Sequence, residues 1–353
     1  MSSSPKERLF FLDVLKAICI MIVVFYHSTL VPISTYESSF YAIDTLFSPL
    51  RFCVPILFTI SFVLSEKSLS KQTTQQLFRK RCGRLLVPIV FWFGIAGFLK
   101  LLNHNSPLEV LLMMLQGEIF NGAYYLLVLL QLTVLLAWLH PWLKNPKNIA
   151  TMIAAQILIL IVVNCFLIYS PSGSIVTLLR TFHRPLIIYW FGYIALGIMI
   201  YRNLSGFVQY SRQLSCYWKL FLSIAALTSI GLEYANLQNL TNLSVPPFEY
   251  ALITSFVSVP ILFLGVATIN EEKVSVPIKK SIQALSRYSL GIFCINGILS
   301  QAFFALGSRW FATKIFSFPE TLTIRLVGWI VLMSLSLGLS VLLSRLGCKS
   351  VVS

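Results

Sequence analysis

A chain of 353 residues that is 57% hydrophobic and only 11% charged, with a mean hydropathy of +0.82, does not read as water-soluble domains; it reads as one all-α, polytopic membrane domain spanning 1–353. Its 27 Lys+Arg against 12 Asp+Glu leave a net +15, which in a membrane chain marks cytoplasmic loops and sets nucleic-acid binding aside. Seven cysteines stand singly with no CxxC pair, so neither a disulfide framework nor a metal site is encoded.

A bilayer core about 30 Å thick takes about 20 residues of helix at 1.5 Å per residue. On that measure ten spans are predicted, at 10–31, 46–64, 85–102, 124–139, 149–169, 185–201, 217–234, 250–270, 289–307 and 321–343. The apolar stretch 108–115 is too short to cross and is expected at the interface. The first span opens on Asp13 and Lys16, has no small-residue cleavage site, and reads as a retained helix. Between the second and third spans, the polar segment 65–84 carries Lys67, Lys71, Arg79, Lys80, Arg81 and Arg84, and its Thr73-Thr-Gln-Gln76 run reads as a solvated approach to the third helix. Across the whole chain 19 of the 27 Lys+Arg fall in alternate connecting segments and 4 in the opposite ones, which places both termini in the cytoplasm and requires an even number of spans. Asn239-Leu-Thr241 and Asn242-Leu-Ser244 match glycosylation acceptors in a segment expected outside, a pattern that has meaning only in a eukaryotic secretory setting.

Ionisable residues inside an apolar helix cost roughly 2.5 to 3.5 kcal/mol each on insertion scales, and the first span holds Asp13, Lys16 and His27. Eleven residues separate Lys16 from His27, about 20° past three full turns, so the two share a helix face about 16 Å apart along the axis. They can hold two ends of one elongated ligand but cannot touch. Asp13 lies within pairing reach of Lys16. Arg81 and Arg84, spaced i and i+3, present two planar guanidinium forks on one side of a helical turn, which suits phosphate groups; an electrostatic anchor to anionic lipid accounts for the same charge without the spacing. His104, His140 and His183 are placed in loops and are expected to tolerate replacement.

Arg8-Leu-Phe-Phe-Leu-Asp13-Val-Leu-Lys16, followed by ten residues and His27, resembles the opening of the acyltransferase family 3 membrane proteins. Arg81-Cys-Gly-Arg84-Leu-Leu-Val-Pro88 is similar to that family's Arg-x-x-Arg motif, and Val54-Pro55-Ile-Leu-Phe58-Thr-Ile-Ser61-Phe62-Val-Leu64 to its second helix. Tyr124-Tyr125-Leu126 and Ser286-Arg-Tyr288-Ser289-Leu-Gly291-Ile-Phe293 are weaker matches. The chain departs from the family at Ser61-Phe62, where a glycine is usual, at Gly122-Ala123-Tyr124-Tyr125, which lacks a His-Leu-Trp element, and at Asn296, where a histidine often stands.

The resemblance implies transfer of an acyl group, acetyl in many members, from cytoplasmic acyl-coenzyme A to a hydroxyl of a cell-surface polysaccharide or lipid-linked glycan, in a bacterial inner membrane. Acyl-coenzyme A is a co-substrate, and no bound cofactor is expected. His27 is then the general base, with direct acyl transfer to its imidazole as the alternative. Arg81, Arg84 and Lys16 hold the donor and Asp13 orients these cations. Glu118 is the nearest sequence candidate for a carboxylate beside His27, and Asn121, Tyr124 and Tyr125 are the acceptor-side candidates. The competing classes are a carrier or flippase for a lipid-linked glycan, with kinks at prolines such as Pro88 and Pro260, and a non-enzymatic scaffold.

Overall fold

The computed structural model describes residues 9–182, 184–241 and 246–353; Lys6, Arg8, His183 and the 242–244 sequon lie outside them. Among the described residues the fold is all helical. In chain order the helices are α1 (Phe10–Tyr26), α2 (Phe40–Phe47), α3 (Cys53–Leu69), α4 (Thr74–Leu102), α5 (Pro107–Leu115), α6 (Tyr124–Leu139), α7 (Pro146–Tyr169) and α8 (Ser174–Phe182). They continue as α9 (Gly192–Arg202), α10 (Leu204–Gln213), α11 (Cys216–Leu240), α12 (Ile253–Val266), α13 (Val276–Arg287), α14 (Ser289–Phe311), α15 (Phe318–Arg345) and α16 (Lys349–Val352).

Six stretches are long and apolar enough to cross a bilayer: Glu37–Leu69, Thr74–Leu102, Pro146–Tyr169, Cys216–Leu240, Ser289–Phe311 and Phe318–Arg345. The number becomes 7 if α8 and Ile187–Arg202 form one bent span. The remaining predicted spans coincide with short helices: α1 has 17 residues, α6 has 16, α9 has 11 and α12 has 14. Their ends share one place. α1 ends at Tyr26 and His27, α6 begins at Tyr124, α9 follows Trp190, and α12 follows Glu249 and Tyr250, and all of these residues line one internal cavity. The ends of these four helices thus converge on that cavity.

The segment 65–84 is not a loop. α3 runs on to Leu69, and α4 starts at Thr74 with a capping box, in which the Thr73 hydroxyl accepts from the Gln76 amide at 3.3 Å and the Gln76 side chain accepts from the Thr73 amide at 3.2 Å. Two orphan N–H groups are thereby satisfied, so the polar run Thr73 to Gln76 is a helix start. Arg81 and Arg84 consequently sit inside a 29-residue helix. His140 is likewise no free loop residue: it ends α6, with Nδ1 3.2 Å from the Thr74 hydroxyl and Nε2 3.5 Å from Glu66. The Arg202 guanidinium at the end of α9 donates to the same Glu66 at 2.8 Å and to the Leu143 carbonyl at 2.7 Å, tying α3, α6 and α9 together at one end of the bundle.

The centre of the bundle is α1, packed against α3, α13, α14 and α15, while α3 also packs on α9 and α11 on α12. The short α16 turns back into the bundle. Trp92 Nε1 donates to the Val351 carbonyl at 2.9 Å, and Val352 is fully buried against Gly291 of α14.

Candidate functional site

Two cavities lie end to end along α1 and α3. The first, about 260 Å³, is lined by Val23, Tyr26 and His27 of α1, by Val54 and Pro55 of α3, by Asn121, Gly122 and Tyr124, by Trp190 and Tyr250, and by the charged Arg51, Arg184 and Glu249. The second, about 240 Å³, is lined by Lys16 and Ile20 of α1, Leu57 and Ser61 of α3, Arg81 and Arg84 of α4, Tyr125 of α6, Ser289 of α14, and Ser353. Phe293 of α14 faces both. Its ring centroid is 5.0 Å from that of Tyr125, which is 4.7 Å from Phe58, which is 4.9 Å from Trp190. These aromatic rings form the partition. It is thin, because Ile20 and Val23 on opposite sides are three residues apart, about 4.5 Å of helix.

In the first cavity His27 caps α1, and its Nδ1 lies 2.8 Å from Asn296 Nδ2 on α14. Gly122 packs on the ring: φ is +88° there, and a Cβ would stand 2.8 Å from Phe293 Cζ and 3.3 Å from His27 Cε1. Only glycine combines that backbone with that approach. Across the cavity Glu249 accepts from Tyr26 at 3.1 Å, Tyr250 at 3.1 Å, Arg51 at 3.2 Å and Arg184 at 3.4 Å. Arg51 also pairs with Asp44 at 2.8 Å, and Asp44 accepts from Tyr234 at 2.5 Å. Arg184 lies over the rings of Tyr124 and Tyr250, with Cζ 5.4 and 5.1 Å from their centroids. The arrangement sets one imidazole, a charge-compensated acid–arginine network and aromatic faces around one space.

In the second cavity the i, i+3 spacing of Arg81 and Arg84 aims both side chains at the same space, with Lys16 opposite. Arg81 Nη1 donates to the Ser61 carbonyl at 3.0 Å, which steadies the fork against α3. Arg79 and Lys80, in the same basic run, are exposed and line neither cavity.

A family model described as an acyltransferase domain matches residues 9–345, nearly the whole chain. The chain belongs to the acyltransferase 3 family. Searches of curated proteins and of solved structures give no match. As a membrane acyltransferase of that family, it carries His27 in one cavity and Arg81, Arg84 and Lys16 in the other; helix periodicity pairs Arg81 with Arg84 and Lys16 with His27, and helix packing brings the two pairs to adjoining cavities. Asp13 lies apart from both cavities, and one of its partners is the Ser286 hydroxyl on α13.

The acceptor-side candidates divide. Asn121 and Tyr124 line the His27 cavity, and Asn121 Nδ2 donates to Ser300 at 2.9 Å. Tyr125, the next residue on α6, points 100° away and lines the Arg81 cavity instead. Glu118 is exposed and outside both cavities; the turn after α5, with Gly117 at φ +67°, carries it to the surface. The carboxylate of the His27 cavity is Glu249, not Glu118. Arg51, Arg184, Glu249 and the His27 contact of Asn296 are not apparent from the sequence, where the only signal is the placement of charges at the ends of predicted spans.

Proposed function

We propose that this acyltransferase moves an acyl group, acetyl in the simplest case, from cytoplasmic acyl-coenzyme A to a hydroxyl of a cell-surface polysaccharide or lipid-linked glycan, in a bacterial inner membrane. The observation that carries this reading is the pair of cavities back to back on α1, basic on one side and holding His27 on the other, with only an aromatic partition between them. Coenzyme A has a phosphate-rich head and a long thin arm that ends in the thioester. Arg81, Arg84 and Lys16 hold the phosphates, Arg through paired N–H groups and Lys as a point charge. The arm follows α1 past Phe293 toward His27. There the neutral imidazole takes the proton of the acceptor hydroxyl as its oxygen attacks the thioester carbonyl. The aromatic faces of Tyr124, Trp190 and Tyr250 suit the apolar face of a sugar ring, and Glu249 and Asn121 its hydroxyls. Purified protein in lipid, given radiolabelled acetyl-coenzyme A and glycolipid extract, is expected to label the glycolipid; label confined to free acetate would reject acyl transfer to a glycan.

Charge counts and the two cavities fit ten spans, the four short helices α1, α6, α9 and α12 included, with both termini and residue 71 in the cytoplasm. All four helix ends at the His27 cavity then lie toward the outer side. In a background without the exposed Cys165 and Cys216, a membrane-impermeant thiol reagent applied outside is expected to label Ser38→Cys and Asn239→Cys and to miss Lys71→Cys; these positions are all exposed. Labelling of position 71 from outside would invert the orientation.

For the donor site, Arg81→Ala or Arg84→Ala is expected to weaken coenzyme A binding by about 1.5–3 kcal/mol for each charge-assisted hydrogen bond to phosphate that the truncation removes, with Lys recovering part. Arg79→Ala and Lys80→Ala serve as controls of equal charge. Equal weakening in all four, read by isothermal titration, would reduce the run to a lipid anchor. A carrier for a lipid-linked glycan is the alternative class, and glycolipid left without label by the purified protein would favour it.

A further inference from the structure

His27 has one hydrogen-bond partner among the described residues, and it comes from the position where the family's histidine is replaced. Asn296 is fully buried on α14, its Nδ2 is 2.8 Å from His27 Nδ1, and its Oδ1 is buried without a partner. Backbone contact holds α14 at this point. Asn121 N donates to the Gly297 carbonyl at 3.3 Å, and a Cβ on Gly297 would overlap the Asn121 carbonyl oxygen. With Asn296 on Nδ1 and Gly122 against Cε1, the ring is held at two of its atoms, and Nε2 is the ring nitrogen without a hydrogen-bond partner among the described residues.

We propose that Asn296 is the positioning residue of His27, fixing Nδ1 so that Nε2 is the nitrogen that takes and returns the proton during acyl transfer. This rests on the reading of His27 as the general base.

The amide suits the task because it has both a donor and an acceptor end. With Nδ2 against the ring, Nδ1 accepts, and the single proton of the neutral imidazole sits on Nε2. With the amide turned by 180°, Oδ1 accepts Nδ1–H, and Nε2 carries the lone pair that a base needs. During transfer the acceptor O–H breaks and an N–H forms at Nε2. The acceptor oxygen bonds to the thioester carbonyl carbon, the C–S bond breaks, and the departing thiolate takes the proton from Nε2. The imidazolium formed on the way has an N–H on both nitrogens, so only Oδ1 can then face Nδ1. A carboxylate at 296 would accept the same N–H but favour the imidazolium, so the ring would stay protonated to a higher pH and give up its proton only at the alkaline end. The other ionisable groups lining the cavity are Tyr26 on its own helix, Arg51 before α3, Cys53 on α3, Tyr124 on α6, Arg184 before α9 and Glu249 before α12; α14 and the turn at Gly122 present none to it. Asn296 is thus the group through which α14 acts on the ring.

The test is acyl transfer by purified protein in lipid, with rate measured against pH and beside a donor-binding assay. Asn296→Ala is expected to lower kcat 10- to 100-fold with the donor KM unchanged. Asn296→Asp is expected to move the acid limb of the rate profile upward by a pH unit or more and to recover rate at the alkaline end. If both variants lose rate in proportion to their folded fraction and keep the wild-type profile, Asn296 is structural only and the proposal falls. If His27→Gln is inactive while Asn296→Ala turns over normally, positioning fails and the general base stands. If His27→Gln itself turns over normally, the underlying reading fails first.

Discussion

His27→Gln is expected to lower acyl transfer at least 10²-fold while donor binding and membrane abundance stay near wild type. Glutamine keeps the volume and a hydrogen-bonding group, so contact with Asn296 and the packing of Gly122 survive, but it takes up no proton at neutral pH. The proposed donor contacts lie in the other cavity, with Lys16 about 16 Å along α1 from position 27, so a loss confined to kcat separates chemistry from binding. His104→Asn is the matched control: His104 is exposed at φ +65°, a backbone that asparagine adopts readily. Single-turnover rates on purified variants decide the matter. Normal turnover by a well-folded His27→Gln protein would remove His27 from the chemistry.

Glu249→Ala should produce the largest loss of stability. The carboxylate holds Arg51, Arg184, Tyr26 and Tyr250 together from four separate stretches of chain. Removing one member of a buried ion pair costs roughly 3–5 kcal/mol because the partner charge stays behind. The lower end applies here, since the Glu249 side chain is 26% exposed to the cavity and Arg51 keeps Asp44. Arg184 has no second acid among its hydrogen bonds. Glu249→Gln retains acceptors for both tyrosine hydroxyls and should fall between. Thermal unfolding in detergent, followed beside transfer activity, measures this. An unchanged midpoint for Glu249→Ala would mean that water in the cavity screens the network and that Glu249 is there for substrate alone.

Two residue pairs of the site are legible in the primary structure because each is local. Arg81 and Arg84 are three residues apart, and Lys16 and His27 share one helix, so helical periodicity alone predicts that each pair shares a face. The His27 half is not legible. Glu249 and Arg51 are 198 residues apart, and Asn296 and His27 are 269 apart. No periodicity relates residues on different helices, so nearness to the fourth span favours Glu118 over Glu249. The turn at Gly117 leaves Glu118 exposed outside the cavity, whereas adjacent Tyr124 and Tyr125 serve different cavities because successive residues of α6 point 100° apart.

Composition, charge pattern and motif order by themselves determine an all-helical membrane acyltransferase and place Arg81 with Arg84, and Lys16 with His27, on shared helix faces. Transfer free energy and helical periodicity act within each segment, and both are additive along the chain. Only the tertiary structure decides that α1, α6, α9 and α12 are cut short at a common cavity, that Phe293 closes it from the Arg81 side, and that Glu249 and Asn296 complete it. Helix ends with polar neighbours are stable only where several helices converge to satisfy them, and that convergence depends on packing between distant segments, which no single stretch of sequence contains.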